Sequence, residues 1–185
     1  MALNVTSLEI TDVKVITPPR HADDRGFLCE VYNRDLFSAS GIDANFIQDN
    51  QSLSITKGTV RGLHYQAPPF AQAKLVRVLK GAIVDVAVDI RKASPTYGHW
   101  VKTELTAENG NQVFVPKGFL HGFATLQPET EILYKVDNPY SREHSGSVCW
   151  SDPTLNIAWG LHPSAATLSD QDKTASTFAE FISPF

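Results

Sequence analysis

Cysteine is scarce in this sequence. Its 185 residues include only Cys29 and Cys149, which is too few for the disulfide framework of a small secreted domain. Both cysteines lie among strand-forming residues, so we interpret them as buried or half-buried structural thiols. A reduced, cytoplasmic protein is therefore expected.

Long apolar segments and a surplus of positive charge are also missing. No apolar run is long enough to span a membrane, and the first residues lack the basic and apolar regions of a signal peptide. The net charge is −4, whereas nonspecific nucleic-acid binding needs a basic surface. We expect no membrane and no nucleic-acid partner, although a few local Arg and Lys residues could hold a small anion.

The sequence does contain many short alternating strands separated by Gly, Pro, Asn and Asp. In the clearest one, residues 83–90, valines share one face and Asp85 and Asp89 lie on the other. A preceding strand over 74–79 and the short Lys80-Gly81 link predict a hairpin. Further strands are predicted at 112–115, 131–136 and 147–150, with one or two more within 5–16. This spacing indicates an antiparallel sandwich or barrel.

Helical signals are few. A short helix is predicted to begin near Asn33, and residues 169–182 are predicted to form a second helix that packs on the barrel. No repeat, low-complexity tract or linker divides the chain, and its length suits one domain. We predict a single all-β domain over residues 1–185, with a few short helices near the C-terminus.

Two histidine-containing segments point to a shared cavity. The pattern Pro-x-Gly-x-x-His ending at His121 resembles the second signature block of the cupin family, although it also fits a turn followed by a core histidine. Residues 61–66 resemble the first block, but Gln66 stands where cupins have a second metal-binding histidine. The resemblance implies a cupin-like antiparallel β-barrel, also called a jelly roll.

This cavity has too few ligands for a metal. A divalent metal needs three or more N, O or S ligands, and His64 and His121 supply two. Residues 69–74 offer no carboxylate and end in Lys74, whose charge would repel a metal. We therefore predict a site without metal or cofactor.

The same residues suit proton transfer next to a carbonyl group. A neutral histidine such as His64 can take a proton near neutral pH. A cation such as Lys74 or Arg61 can stabilise the oxyanion that forms. Tyr134, on a strand that follows His121, could return the proton from the opposite face, which would invert the carbon.

Segments along most of the chain resemble the dTDP-4-dehydrorhamnose 3,5-epimerase family. In family order they are residues 24–27 with Glu30, 48–50, 61–66, 74–77, 85–91, 116–123 and 134–135. The resemblance implies an isomerase without a cofactor that inverts C3 and C5 of dTDP-4-dehydro-6-deoxy-D-glucose. The product would be dTDP-4-dehydro-L-rhamnose, in rhamnose biosynthesis.

The resemblance also implies a role for each matched position. His64 would be the base, Asp172 its partner, and Tyr134 the acid on the other face. Lys74, with Arg61 and His121, would hold the C4 enolate oxygen and the sugar. The nucleotide would be held by Arg25, Phe27, Glu30, Gln48, Asn50 and Tyr140. The N-terminal strands at this site would come from the other subunit of a homodimer.

Some alternatives stay open on the sequence. Gln51 replaces a histidine that is usual in the family, and either Asp170 or Asp172 could pair with His64, although the spacing from Leu168-Ser169 favours Asp172. Three other functions fit part of the pattern: an epimerase acting at C3 alone, a metal-dependent cupin such as a dioxygenase, and a non-catalytic sugar-nucleotide binder.

Overall fold

A computed structural model describes residues 3–185, so Met1 and Ala2 lie outside the described residues. The structure is built mainly from short strands: β1 (Asn4–Ser7), β2 (Lys14–Thr17), β3 (Arg20–Asp23), β4 (Gly26–Cys29), β5 (Gln48–Ser54), β6 (Val60–Gln66), β7 (Lys74–Lys80), β8 (Ala82–Asp89), β9 (Trp100–Thr106), β10 (Gln112–Val115), β11 (Phe119–Thr125), β12 (Thr130–Val136) and β13 (Ser145–Ser147). The helical segments are α1 (Arg34–Ala39), α2 (Asp170–Lys173) and two 3-10 turns, Arg142–His144 and Pro163–Ala165.

Two antiparallel sheets face each other. The six-stranded sheet has the order β1-β2-β10-β7-β12-β5, and the five-stranded sheet has the order β13-β6-β11-β8-β9. Apolar side chains from both sheets, such as Val76 and Ile132 from one and Ile83 and Phe123 from the other, form the core between them. The arrangement confirms the prediction of an all-β, cupin-like fold, although the sheets remain open at their edges.

The predicted hairpin over residues 74–90 is wrong. β7 pairs with β10 and β12 in the six-stranded sheet, whereas β8 pairs with β9 and β11 in the other. Gly81, with φ of +82°, is the point where the chain crosses from one sheet to the other. The physical reason is that every residue of β8 is buried, so this strand needs a neighbour on each side and cover on both faces.

The cover on the outer face of β8 comes from the C-terminal part of the chain. Val84, Val86 and Val88 pack in a second core with Trp150 and Trp159, and partly buried aromatic residues of the tail extend it. Asp85 and Asp89 lie on the face opposite these valines, as the alternation predicted. That face is the inner one, and both residues are buried.

The predicted helix over residues 169–182 is also wrong beyond its first turn, because only Asp170–Lys173 is helical. The following backbone instead bonds to the rest of the fold: Cys149 N donates to Ser176 O, and Phe178 N donates to the buried carboxylate of Asp152. These bonds hold Phe178, with Phe181 and Phe185, against the outer face of the five-stranded sheet.

The short helix near Asn33 is confirmed as α1. The Asn33 side chain accepts hydrogen bonds from the backbone N–H groups of Asp35 and Leu36, which caps the helix. Phe37 and Ile42 then pack on the outer face of the six-stranded sheet, against Leu75 and its neighbours.

Cys29 and Cys149 are free, half-buried thiols, as predicted. No helix within residues 3–185 combines the length and apolar character needed to cross a bilayer.

Candidate active site

A cavity of about 510 Å³ opens between the two sheets. Five predicted site residues line it from the strands, and residues of the C-terminal tail close one side. Its lining comprises Ser52, Thr59, Val60, Arg61, His64, Lys74, His121, Phe123, Ile132, Tyr134, Thr167, Leu168, Ser169, Gln171 and Asp172.

The strand register brings the two histidines together. β6 and β11 are antiparallel neighbours in which His64 lies directly opposite His121. The two strands approach closely beside this pair, since a Cβ on Gly62 would lie 2.6 Å from the Cα of Gly122. Gly62 also has φ of +144°, a conformation that residues with a side chain rarely adopt. Glycine at position 62 is therefore needed to place the two imidazoles side by side.

His64 is held by a carboxylate from the tail. Its Nε2 lies 2.6 Å from Oδ1 of Asp172, which is buried at the start of α2. The Ser169 hydroxyl donates to Oδ2 of Asp172 and accepts from its backbone N–H, so the carboxylate is fixed in turn. Asp170 is fully exposed and pairs with Lys173. The structure thus places Asp172, not Asp170, against His64.

His121 forms a second, buried histidine–carboxylate pair. Its Nε2 lies 3.0 Å and 2.9 Å from the two carboxylate oxygens of Asp85 on β8. The alternation placed Asp85 on the face opposite the valines but gave it no place in the site. The signal was its position on a mostly apolar strand, because a buried carboxylate needs a partner.

Lys74 and Tyr134 reach the cavity from the other sheet, on β7 and β12. Loss of water around the ammonium group lowers the pKa of Lys74 to about 8, an effect that the negative charge of Asp85 opposes. Burial raises the pKa of Tyr134, and the charge of Arg61 opposes that shift. Arg61 lies at the rim, where it donates to Ser54 Oγ and to the carbonyl of Leu53.

A second cavity of about 470 Å³ adjoins the first and shares His64, Lys74, Tyr134 and Gln171 with it. It brings in the predicted nucleotide-binding residues on β5 and the loop after β12: Gln48, Asn50 and Tyr140. Tyr140 is 64% exposed, so its side chain is accessible to a ligand. Ser52 and Gln171 also line the first cavity. They were not predicted, and neither lies in one of the segments that carry the family resemblance.

Arg25, Phe27 and Glu30 are not brought to these cavities. Arg25 and Phe27 lie on the β3–β4 hairpin, where the Arg25 side chain is 90% exposed and bonds Asp23. Glu30 lies beside the hairpin in a separate small pocket. Within residues 3–185 of one chain, none of the three lines the cavity that contains His64.

The two positions where the sequence departs from related patterns have structural uses. The side-chain amide of Gln66, at the cupin metal-ligand position, makes hydrogen bonds to backbone groups of two loops. Gln51 points to the outer face of β5 and donates to the side chain of Glu131. Among residues 3–185, no three His, Cys, Asp or Glu side chains are grouped to hold a metal ion. The absence of a cofactor stays a prediction.

The fold and the cavity together define a cupin-like protein whose cavity between the sheets contains two histidine–carboxylate pairs. The model of the family described as dTDP-4-dehydrorhamnose 3,5-epimerase matches residues 7–180. A protein of that name from Sinorhizobium fredii is 49% identical over 94% of this chain and 89% of its own. The chain belongs to the dTDP-4-dehydrorhamnose 3,5-epimerase family, which confirms the predicted family and its class, the isomerases.

Solved structures agree. The Bacillus anthracis epimerase with TDP and PPi bound superposes with a TM-score of 0.92 at 45% identity, over 95% of this chain and 99% of its own. The Legionella pneumophila enzyme in complex with dTDP-4-keto-L-rhamnose gives 0.92 at 40% identity, over 97% and 95%. A 3'-monoepimerase from Streptomyces bikiniensis in complex with dTDP-quinovose gives 0.85 at 34%, over 94% and 87%. The fold is therefore shared by enzymes that differ in the number of carbons they invert.

Proposed function

We propose that this chain, as one catalytic domain, inverts C3 and C5 of dTDP-4-dehydro-6-deoxy-D-glucose to give dTDP-4-dehydro-L-rhamnose. One observation carries the proposal: His64 and Tyr134 face a single cavity from opposite sheets, with Lys74 beside them. A base and an acid on opposite sides of a sugar ring are the arrangement that inversion requires. The family membership supplies the substrate class.

The reaction begins with removal of the proton at C3 or C5. A proton on Nε2 of His64, donated to Asp172, leaves the lone pair of Nδ1 as the base. The electron pair of the broken C–H bond moves to the C4 oxygen, and the resulting enolate is stabilised by the Lys74 ammonium and by His121.

Tyr134 completes each inversion. Its phenol gives a proton to the opposite face of the same carbon, and the enolate returns to the ketone. The raised pKa of Tyr134 keeps the phenol protonated at neutral pH. Solvent then takes the proton from His64 and restores the one on Tyr134, so charge and protons balance.

The proposal is tested by proton exchange. The purified protein, treated with EDTA, is incubated with the dTDP-4-keto-6-deoxyglucose substrate in D2O, and the C3 and C5 protons are followed by NMR. We expect loss of both signals and appearance of the rhamno product. Exchange at C3 alone would point to a single-site epimerase. No exchange would overturn the proposal, and activity abolished by EDTA would revive a metal-dependent cupin.

The activity is expected to fall in alkaline solution. Because the pKa of Lys74 is lowered to about 8, its ammonium form is lost as the pH rises through that value. We expect kcat/KM to fall about tenfold between pH 7 and pH 9. In Lys74→Arg the charge persists, so the variant should be slower but lack this alkaline limb. If Lys74→Arg shows the same alkaline fall in kcat/KM, that fall arises from another group.

The same proposal includes a homodimer. Phe27 and Leu28 on the β3–β4 hairpin are 60% and 75% exposed, and Leu53 and Leu79 on the outer face of the six-stranded sheet are 50% and 39% exposed. Apolar side chains grouped on a surface favour association with a partner. A second copy that covered them could bring its own hairpin, with Arg25 and Phe27, over the nucleotide cavity.

Mixed dimers test this arrangement. The variants His64→Ala and Arg25→Ala are each expected to have little activity alone. When coexpressed, a mixed dimer contains one site with an intact cavity and an intact partner hairpin, so about a quarter of the wild-type activity should return. No recovery, in samples where mixed dimers are detected by native mass spectrometry, would place the hairpin in its own chain's site.

A further inference from the structure

We propose that Gln66 is a positioning residue that fixes Tyr140 at the nucleotide end of the site, an inference that rests on the proposed function. Gln66 ends β6, two residues after His64, and its side chain is buried. Its amide reaches the loop that carries Tyr140. The geometry therefore links the strand of the proposed base to an aromatic residue that lines the second cavity.

The hydrogen bonds of Gln66 bracket Tyr140 on both sides. Nε2 donates to the carbonyl of Pro139 at 3.1 Å, and Oε1 accepts from the backbone N–H of Ser141 at 2.7 Å. These are the residues immediately before and after Tyr140. Nε2 also donates to the carbonyl of Phe70 at 2.6 Å, in the loop before Lys74. One side chain thus fixes the backbone on either side of the tyrosine and ties it to a second loop.

Further side chains join the same two loops, residues 67–73 and 137–141. Asn138 Nδ2 donates to the carbonyl of Ala71 at 2.8 Å, and Gln72 Nε2 donates to the carbonyl of Asn138 at 2.7 Å. Asp137 accepts from the backbone N–H of Ala73 at 2.7 Å. These loops flank the second cavity, and their mutual position depends on side-chain amides and one carboxylate.

The chemistry of the amide suits this task. The Gln66 amide supplies two donors and an acceptor, and its bonds to Phe70, Pro139 and Ser141 use all of them. A neutral imidazole has one donor and one acceptor, so histidine, the cupin residue at this position, cannot make the same set. Tyr140 is itself largely exposed, so little packing holds its ring. A binding surface that is fixed in advance loses less entropy when the ligand docks.

Gln66→Met keeps the length of the side chain and removes the hydrogen bonds. We expect the Kd for dTDP and the KM for the sugar nucleotide to rise about tenfold, with kcat changed less than about threefold, because the base and acid are untouched. Trp100→Phe is the matched control, since it removes a side-chain hydrogen bond to the carbonyl of Leu155 away from both cavities. That control should leave both constants unchanged.

A double-mutant cycle with Tyr140→Ala separates positioning from a general loss of stability. If Gln66 acts through Tyr140, Gln66→Met should raise the Kd for dTDP less than about twofold further in a chain that already lacks the tyrosine. Independent, multiplicative effects would overturn the inference, as would a Gln66→Met variant with wild-type affinity. If Gln66→Met does not fold, Asn138→Ala is carried through the same cycle. The cycle measures the Kd for dTDP, whereas the proposed function is tested by exchange of the C3 and C5 protons in the wild type. The two proposals can therefore fail separately.

Discussion

Replacing His64 by alanine is expected to reduce proton exchange at both C3 and C5 by at least about a hundredfold, since general base catalysis contributes on the order of 10² to 10⁴. The neighbouring imidazole of His121 is not expected to take over, because its side chain is only 9% exposed and exchanges protons with D2O less readily than that of His64, which is 35% exposed. The measurement is the initial rate of signal loss at each carbon in D2O. Binding of dTDP should be unchanged.

A surface histidine provides the control for this variant. His162 is exposed and its side chain bonds Ser164, away from both cavities, so His162→Ala should exchange both protons at the wild-type rate. The exchange rate of Asp172→Asn should lie between those of His64→Ala and His162→Ala. The asparagine keeps a group that can bond His64 but loses the charge that stabilises the imidazolium. Full exchange in His64→Ala would remove this residue from the role of base.

Replacing Tyr134 by phenylalanine is expected to separate proton exchange from inversion. The variant loses only the phenolic oxygen, so His64 can still remove a proton, exchange it with solvent and return deuterium to the same face. Product formation should fall about a hundredfold. Deuterium should still enter the recovered substrate, at a rate within about tenfold of wild-type exchange.

The two readouts come from one sample, by NMR of recovered substrate and product. Tyr32→Phe is the matched control, because Tyr32 packs against Phe37 and Phe46 on the outer face of the six-stranded sheet and lies outside both cavities. That variant should form product normally. Inverted product formed at the wild-type rate by Tyr134→Phe would show that another group, or water, supplies the proton.

The strands were predictable to the extent that each carries its own pattern. Alternation in β8 correctly put Val84 and Asp85 on opposite faces, and Asn33 marked the start of α1. Alternation does not say which strand lies beside which, so a short Lys80-Gly81 link was interpreted as a hairpin although it joins two sheets. The tail over 169–182 was mispredicted because its backbone bonds distant residues such as Asp152, which no local pattern reports.

The cavity was predictable where motifs carry chemistry. The segments around His64, Lys74, His121 and Tyr134 meet in one cavity. Partners that depend on the three-dimensional fold were harder: the pairing of Asp85 with His121 follows only from the β8–β11 register. Within one chain, Arg25, Phe27 and Glu30 line neither cavity. The proposed homodimer would bring them there, and contacts between copies leave little trace in one sequence.

The pair between His64 and Asp172 joins residues 108 positions apart. Closing so long a loop costs conformational entropy before the contact forms, and non-local contacts of this kind slow folding. A partly folded chain with both sheets formed but the tail undocked would have the walls of the cavity without the carboxylate that pairs with His64. Under the proposed mechanism we expect such a chain to have little epimerase activity, so that activity would report on docking of the tail.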